Sequence, residues 1–146
     1  MSHANSELDH KKRFLKSYKR NNACIERLED KLEQLVERIE TVRSPNYSGM
    51  PRGGTPVTIE ELLSDKMDLE KRIERLKKKG TVLKEKVLDE IDTLDDPRYV
   101  DILEMFFIDF IPFEDIADIT GYTERHVIRL YSEALNVLVK NGTSMS

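Results

Sequence analysis

Two long, highly charged segments dominate the chain, and in each of them apolar residues recur at alternating steps of three and four. The first series runs from Phe14 to Val42, with the polar Asn21 at one position, and the second runs from Ile59 to Val87, interrupted at Lys66 and Gly80. This spacing gathers the apolar side chains on one narrow stripe of an α-helix. The pattern predicts two helices, each of which needs a partner to cover its stripe.

The composition favours the same fold class. Of 146 residues, 38% are hydrophobic and 36% are charged, with 6 glycines and no tryptophan. This balance is typical of long solvated helices and argues against a β-sandwich, a barrel or a parallel α/β sheet. The single cysteine, Cys24, excludes a disulfide framework and favours a reducing setting. Because no long apolar run or signal-peptide core is visible, we expect a cytoplasmic protein without a membrane span.

A linker rich in proline and glycine, residues 44–58, separates the two helical segments. We expect one helix over residues 6–43, capped by Ser6, and a second that starts with a Thr58–Glu61 capping box stapled by Val57 and Leu62. Residues 1–92 are therefore predicted to form a coiled-coil-like hairpin and oligomerisation region. Whether the stripes pair within one chain or between copies stays open. The predicted seam consists of Leu28, Leu32, Leu35, Ile39, Leu69, Ile73, Leu76 and Leu83.

Residues 93–146 have a wider apolar face, which predicts a compact domain that folds on its own. Asp96 should cap a helix that begins at Pro97 and extends to Ile111, where Pro112 ends it. A short helix over residues 113–120, a left-handed turn at Gly121 and a last helix capped by Thr123 and ending at Lys140 should follow. This order is typical of a helix-turn-helix, in which the second helix enters the DNA major groove. A plain helical hairpin that reads no DNA is the alternative.

The amino-acid sequence of this domain also resembles region 4 of bacterial sigma factors. The resemblance lies in the segments FEDIA, residues 113–117, GYTERHVIRL, residues 121–130, and EALNVL, residues 133–138. The whole chain, including the linker SPNYSGMPRGG, is similar to small phage and prophage proteins of Gram-positive bacteria, the ArpU- and RinA-like regulators of late genes. The resemblance implies a transcriptional regulator in a bacterial host cell, with RNA polymerase or another phage protein as a possible partner.

The last helix should turn its inner face, which includes Val127 and Leu130, to the core. The side chains then left for double-stranded DNA are Thr123, Glu124, Arg125, His126, Ile128, Arg129 and Ser132. Arginine can bond guanine O6 and N7, glutamate can accept from cytosine, and isoleucine suits a thymine methyl. Threonine at the helix start suits a phosphate. Alternatively, these are ordinary solvated side chains.

The charge of this domain conflicts with DNA binding, since residues 93–146 carry four basic and ten acidic residues, a net charge of −6. Phosphate contacts supply much of the affinity for DNA. A basic N-terminal segment is a candidate source of non-specific contacts through Lys11, Lys12, Arg13, Lys16, Lys19 and Arg20. A second copy of the chain would also add contacts, so we expect a dimer or higher oligomer.

No spacing suggests catalysis, a cofactor or a metal site, because the three histidines are isolated and the carboxylates alternate with lysine and arginine. The primary hypothesis is a phage-type transcriptional regulator. A module that docks a phage or host protein, and a DNA-packaging protein resembling a terminase small subunit, are the alternatives.

Overall fold

The computed structural model describes residues 3–44 and 58–144, and all regular structure in these ranges is helical. The predicted all-α class is therefore confirmed. The predicted staple residue Val57 and most of the linker lie outside the described residues. The described ranges contain six helices: α1 His3–Leu15, α2 Ser17–Arg43, α3 Ile59–Ile91, α4 Pro97–Phe107, α5 Phe113–Thr120 and α6 Glu124–Ser144.

The helix predicted over residues 6–43 is interrupted once, at Lys16. Backbone hydrogen bonds continue across the interruption, since Lys16 N donates to Lys12 O and Arg20 N donates to Lys16 O, both at 3.0 Å. The hydroxyl of Ser17 donates to Phe14 O, which competes locally with the helical pattern. The predicted cap at Ser6 is wrong, because α1 begins at His3 and Ser6 lies inside it.

The other predicted caps are confirmed. Thr58 Oγ1 accepts from Glu61 N at 3.1 Å, Asp96 Oδ1 accepts from Arg98 N at 2.9 Å, and Thr123 Oγ1 accepts from His126 N at 3.1 Å. Each bond satisfies a backbone donor that a helix start leaves without an intrahelical partner. Gly121 has the predicted left-handed conformation, with φ of 80°, and its N–H donates to Ala117 O at 2.9 Å.

Helix α4 ends at Phe107, four residues before the predicted end at Ile111. The chain reverses there because Phe110 adopts a φ of 59°, and Ile111 N closes the helix end by donating to Met105 O at 2.9 Å. Glycine is the usual residue at such a position. Here the ring of Phe110 packs on Tyr18 at a centroid distance of 5.4 Å, a contact between residues far apart in sequence.

Helix α6 continues past its predicted end at Lys140, through Asn141 and Gly142, to Ser144. The end of α6 lies against α1, since a Cβ atom built on Gly142 would be 3.7 Å from Lys11 Nζ. Leu138, one turn before, is fully buried. Packing against α1 thus outweighs the helix-ending tendency of the asparagine–glycine pair.

The first compact unit joins both ends of the chain, Met1–Asn21 and Gly80–Ser146. Its core combines residues of α1, α3, α4 and α6 and the segments between them: Leu15, Val87, Ile91, Leu94, Leu103, Phe107, Ile108, Ala134, Leu135 and Leu138. This grouping differs from the predicted division into residues 1–92 and 93–146. The α4–α6 segment does not form this core alone, because Leu15, Val87 and Ile91 supply part of it.

The second compact unit is Asn22–Lys79, formed by parts of α2 and α3. Ile25, Leu28 and Ile73 are buried together, with half-buried residues packed around them: Cys24, Leu32, Leu69 and Leu76. Lys77 Nζ forms an ion pair with Glu29 Oε2 at 3.4 Å. These seam residues therefore cover one another within a single chain. Ile39 is buried and Leu35 is half-buried, while Leu83 belongs to the first unit.

Candidate nucleic-acid interface

A small buried cluster sets the orientation of α5 and α6. Ile102 of α4, Ile116 of α5, and Val127 and Leu130 of α6 pack together, each with no more than 1% of its surface exposed. Only residues 121–123 separate α5 from α6, so the left-handed Gly121 reverses the chain within one turn. Because Val127 and Leu130 point inward, the residues between them point away from the core.

Aromatic side chains that pack against this cluster also link the same three helices. The rings of Phe106 and Phe113 stack at a centroid distance of 4.5 Å, and Tyr131 meets both edge-on at 5.2 and 4.9 Å. Such geometries are the favourable ones for aromatic pairs. Burial raises the pKa of the Tyr131 phenol. Helices α4, α5 and α6 are thus held as one rigid support.

The residues predicted to touch DNA share the outward side of the first turns of α6 and the cap before it. Ile128 is 41% exposed, and His126 is half-buried with its ring 4.7 Å from that of Tyr122. The remaining members of this surface are all exposed: Thr123, Glu124, Arg125, Arg129 and Ser132. We call these seven residues the α6 face.

Arg129 is held by neighbours on its own helix. Its Nη2 lies 3.0 Å from His126 Nδ1, and its Nε lies 3.8 Å from Glu133 Oε1. The other oxygen of that carboxylate, Glu133 Oε2, accepts from the hydroxyl of Tyr99 at 3.0 Å. This hydrogen bond raises the pKa of Tyr99. The side chains of Tyr99, Glu133, Arg129 and His126 thus form a continuous series of contacts from α4 to the α6 face.

Sequence reasoning missed Glu133 and Tyr99. The step of four residues from Arg129 to Glu133 was a usable signal, since oppositely charged residues at that spacing pair on a helix. Tyr99 is 34 residues from Glu133, and no local pattern connects the two. Arg125 differs from Arg129, because it forms no ion pair with any residue of the described ranges.

The exposed surface of α5 is acidic. Glu114, Asp115 and Asp118 are exposed, and Ile119 between them and the turn is 61% exposed. Carboxylates repel phosphate, so this helix does not add to an anion-binding surface. The α6 face and the α5 surface therefore have different chemical character although one short turn joins the two helices.

The basic N-terminal segment divides into paired and exposed side chains. Lys11 forms an ion pair with Glu90, so it is not available as a surface cation. Arg20 Nη2 donates to Arg13 O at 2.8 Å, which extends its side chain along the helix. Lys12 is half-buried, and the exposed members are Arg13, Lys16, Lys19 and Arg20.

The grouping of the chain ends changes the charge balance of the unit that carries the α6 face. Over Met1–Asn21 and Gly80–Ser146 there are twelve basic and sixteen acidic residues, a net charge of −4. Residues 93–146 alone have a net charge of −6. The basic segment is therefore part of the same folded body as α6.

Metal-ligating side chains are scattered over the described ranges. Histidine, cysteine, aspartate and glutamate do not gather there into any group of three or more that could bind a metal ion. No described helix combines the length and apolar character needed to cross a membrane.

Comparison with known proteins adds no relative: no family model, no curated protein and no solved structure matches the chain.

Proposed function

We propose that the protein is a DNA-binding transcriptional regulator that reads double-stranded DNA with the α6 face and performs no catalysis. In this proposal α5 and α6 act as the helix-turn-helix, with α6 in the major groove. The observation that carries the proposal is the α6 face itself. It presents Arg125, Ile128 and Arg129 outward, directly after the left-handed Gly121 turn, while Val127 and Leu130 anchor the helix.

Each member of the α6 face has a chemical role in this proposal. Arg125 and Arg129 can donate to guanine or to phosphate, and the exposed Ile128 can cover a thymine methyl group. Thr123 and the first turn of α6 can bind a phosphate, which would set the position of the helix on the duplex. Glu124 can accept from a cytosine amino group, with His126 and Ser132 at the edge of the contact.

Affinity requires more positive charge than the α6 face provides. We propose that Lys12, Arg13, Lys16, Lys19 and Arg20 add non-specific phosphate contacts, and that the protein binds as a dimer or higher oligomer. Two linked copies would add their binding free energies and would require half-sites about one helical turn apart. Residues of α2 and α3 remain the proposed basis of assembly, as an antiparallel hairpin whose outer surfaces meet in the oligomer.

The resemblance to phage regulators supports transcription as the output and the bacterial cytoplasm as the place of action. This resemblance lies partly in the sequence motifs around Gly121, and the helix cap and the turn observed there are compatible with it. Regulation uses both the α6 face and the proposed oligomerising region.

The proposal is tested by selection of genomic fragments with the intact protein, followed by titration of the enriched site. Arg125→Ala/Arg129→Ala should abolish enrichment without changing the helical circular dichroism. Arg72→Ala/Arg75→Ala is the matched control, since it removes the same charge from exposed positions of α3. Equal binding by the α6 double variant and the wild-type protein would exclude the α6 face from the function.

The acidic surface of α5 favours one second candidate, a module that docks RNA polymerase or another phage protein. Asp115 and Asp118 are exposed on the same short helix as the exposed Ile119, an arrangement suited to a basic partner surface. Asp115→Asn/Asp118→Asn should then remove partner binding and leave the DNA complex intact. Retention of partner binding by this variant would contradict the second candidate.

A further inference from the structure

We infer that Tyr99, Glu133 and His126 are positioning residues that hold the Arg129 guanidinium for recognition of one guanine, while Arg125 serves as a mobile phosphate contact. The inference rests on the proposed DNA-binding function. It assigns different roles to two arginines that the sequence alone does not distinguish. It names a specificity determinant, Tyr99, that lies outside α6.

The contacts that position the Arg129 guanidinium begin at a side chain packed against the core of the first unit. Tyr99 belongs to α4, where its ring packs against the buried clusters of the first unit. Its hydroxyl donates to Glu133 Oε2 at 3.0 Å, which leaves Oε1 of the same carboxylate facing Arg129 Nε at 3.8 Å. His126 Nδ1 lies 3.0 Å from Arg129 Nη2. The guanidinium thus has one neighbour at Nε and another at Nη2.

This arrangement leaves enough donors for a base. A guanidinium has five N–H donors and no acceptor. Here Nε lies 3.8 Å from Glu133 Oε1, and one Nη2 hydrogen can be donated to His126 Nδ1 in the tautomer that leaves this nitrogen unprotonated. The three hydrogens that remain exceed the two needed for guanine O6 and N7. The intramolecular contacts therefore orient Arg129 without using up its capacity to recognise a base.

Arg125 lacks such a support within the described residues, where it forms no ion pair. A mobile arginine loses more side-chain entropy when it is fixed on a base than one that is already held. A phosphate tolerates many approach directions, so it suits the mobile side chain. The two arginines should consequently differ in what their removal does to base preference and to salt dependence.

The test uses the full-length protein and the DNA site enriched by it, together with a set of single-base variants of that site. Tyr99→Phe removes the hydroxyl that donates to Glu133, and Glu133→Gln removes the negative charge of that carboxylate. Tyr131→Phe is the matched control, because that hydroxyl forms no hydrogen bond with a described residue and lies in the same unit. Each variant is also made in an Arg129→Ala background.

We expect Tyr99→Phe and Glu133→Gln to weaken the complex by about threefold to tenfold, the range of one typical hydrogen bond. For both variants, the loss of affinity should be confined to discrimination at one guanine. The slope of log affinity against log salt should not change. Neither variant should have any effect on binding when Arg129 is alanine. Arg125→Ala should reduce the salt slope by nearly one and leave base preference intact. Tyr131→Phe should match the wild-type protein.

Two results would overturn the inference. If Tyr99→Phe keeps full discrimination, or weakens binding equally with and without Arg129, the line from Tyr99 to Arg129 does not position the guanidinium. If the wild-type protein enriches no DNA sequence, the proposed function itself fails and the inference fails with it. A direct check needs no DNA: in the wild-type protein the phenol of Tyr99 should titrate at higher pH than in Glu133→Gln, and equal titration would show that the hydrogen bond is absent.

Discussion

Lys11 of α1 and Glu90 of α3 form an ion pair although 79 residues separate them. One helical turn after Lys11, Leu15 is fully buried in the core that α3, α4 and α6 share. The N-terminal helix is therefore an integral part of the unit that carries the α6 face, and this has consequences for stability and for DNA binding.

Removal of the Leu15 side chain should destabilise the whole first unit. We expect Leu15→Ala to lower the free energy of unfolding by about 2–5 kcal/mol, because it opens a cavity in a core with no solvent access. Val82→Ala is the control, since that side chain is 50% exposed and its loss should cost little. Urea unfolding followed by circular dichroism measures both. The isolated segment 93–146, which lacks Leu15, Val87 and Ile91, should show no cooperative transition; a sharp transition would contradict the observed grouping.

Replacement of two glycines by alanine should have opposite effects. Gly121 has a φ of 80°, and although a Cβ atom there would meet nothing within 4 Å, the backbone conformation itself disfavours alanine by about 1–2 kcal/mol. Gly142 lies inside α6, where a Cβ atom would make an ordinary contact 3.7 Å from Lys11 Nζ. Gly142→Ala should thus stabilise the protein by up to about 1 kcal/mol. Melting temperatures that shift in the same direction would refute this assignment of the two positions.

Neutralising Lys12, Arg13 and Lys16 should affect DNA binding, whereas neutralising the ion-paired Lys11 should affect stability. Changing Lys12, Arg13 and Lys16 to glutamine should weaken the binding of all DNA sequences about equally, and it should lower the salt slope by nearly one for each phosphate interaction that the variant removes. Lys11→Gln should instead lower the melting temperature, because it leaves Glu90 without its ion-pair partner. Affinity measured at several salt concentrations gives the slope. An unchanged slope for the triple variant would identify this segment as ordinary solvated surface.

Introduction of charge at the α2–α3 contact should disrupt the second unit and the assembly that we propose for it. Leu32 and Leu76 pack around Ile25, Leu28 and Ile73, so Leu32→Asp and Leu76→Asp should each unfold this region, dissociate the oligomer and abolish tight DNA binding. Gln34→Asp is the control, because Gln34 is exposed on the same helix. Light scattering reports the mass of each variant. A wild-type monomer at micromolar concentration that still binds DNA tightly would contradict the oligomer model.

Much of the α6 region was predictable from the sequence because its determinants are local. The cap at Thr123, the turn at Gly121 and the inward positions Val127 and Leu130 depend on spacings of three to six residues. The end of α4 was not predictable in the same way. It depends on Phe110, which adopts a left-handed conformation while its ring packs on Tyr18. The residues near Phe110 in sequence do not indicate that contact.

Local sequence is sufficient for some features of this protein, whereas others depend on contacts between residues far apart in the chain. The helical class, the starts of α3, α4 and α6, and the outward direction of Arg125 and Arg129 follow from local hydrogen bonding and from periodicity. Tertiary packing decided that α1 joins α6 and that Tyr99 reaches Glu133. An apolar stripe shows that a helix needs a partner but does not name it, because burial of apolar surface is non-directional and any complementary surface can provide it.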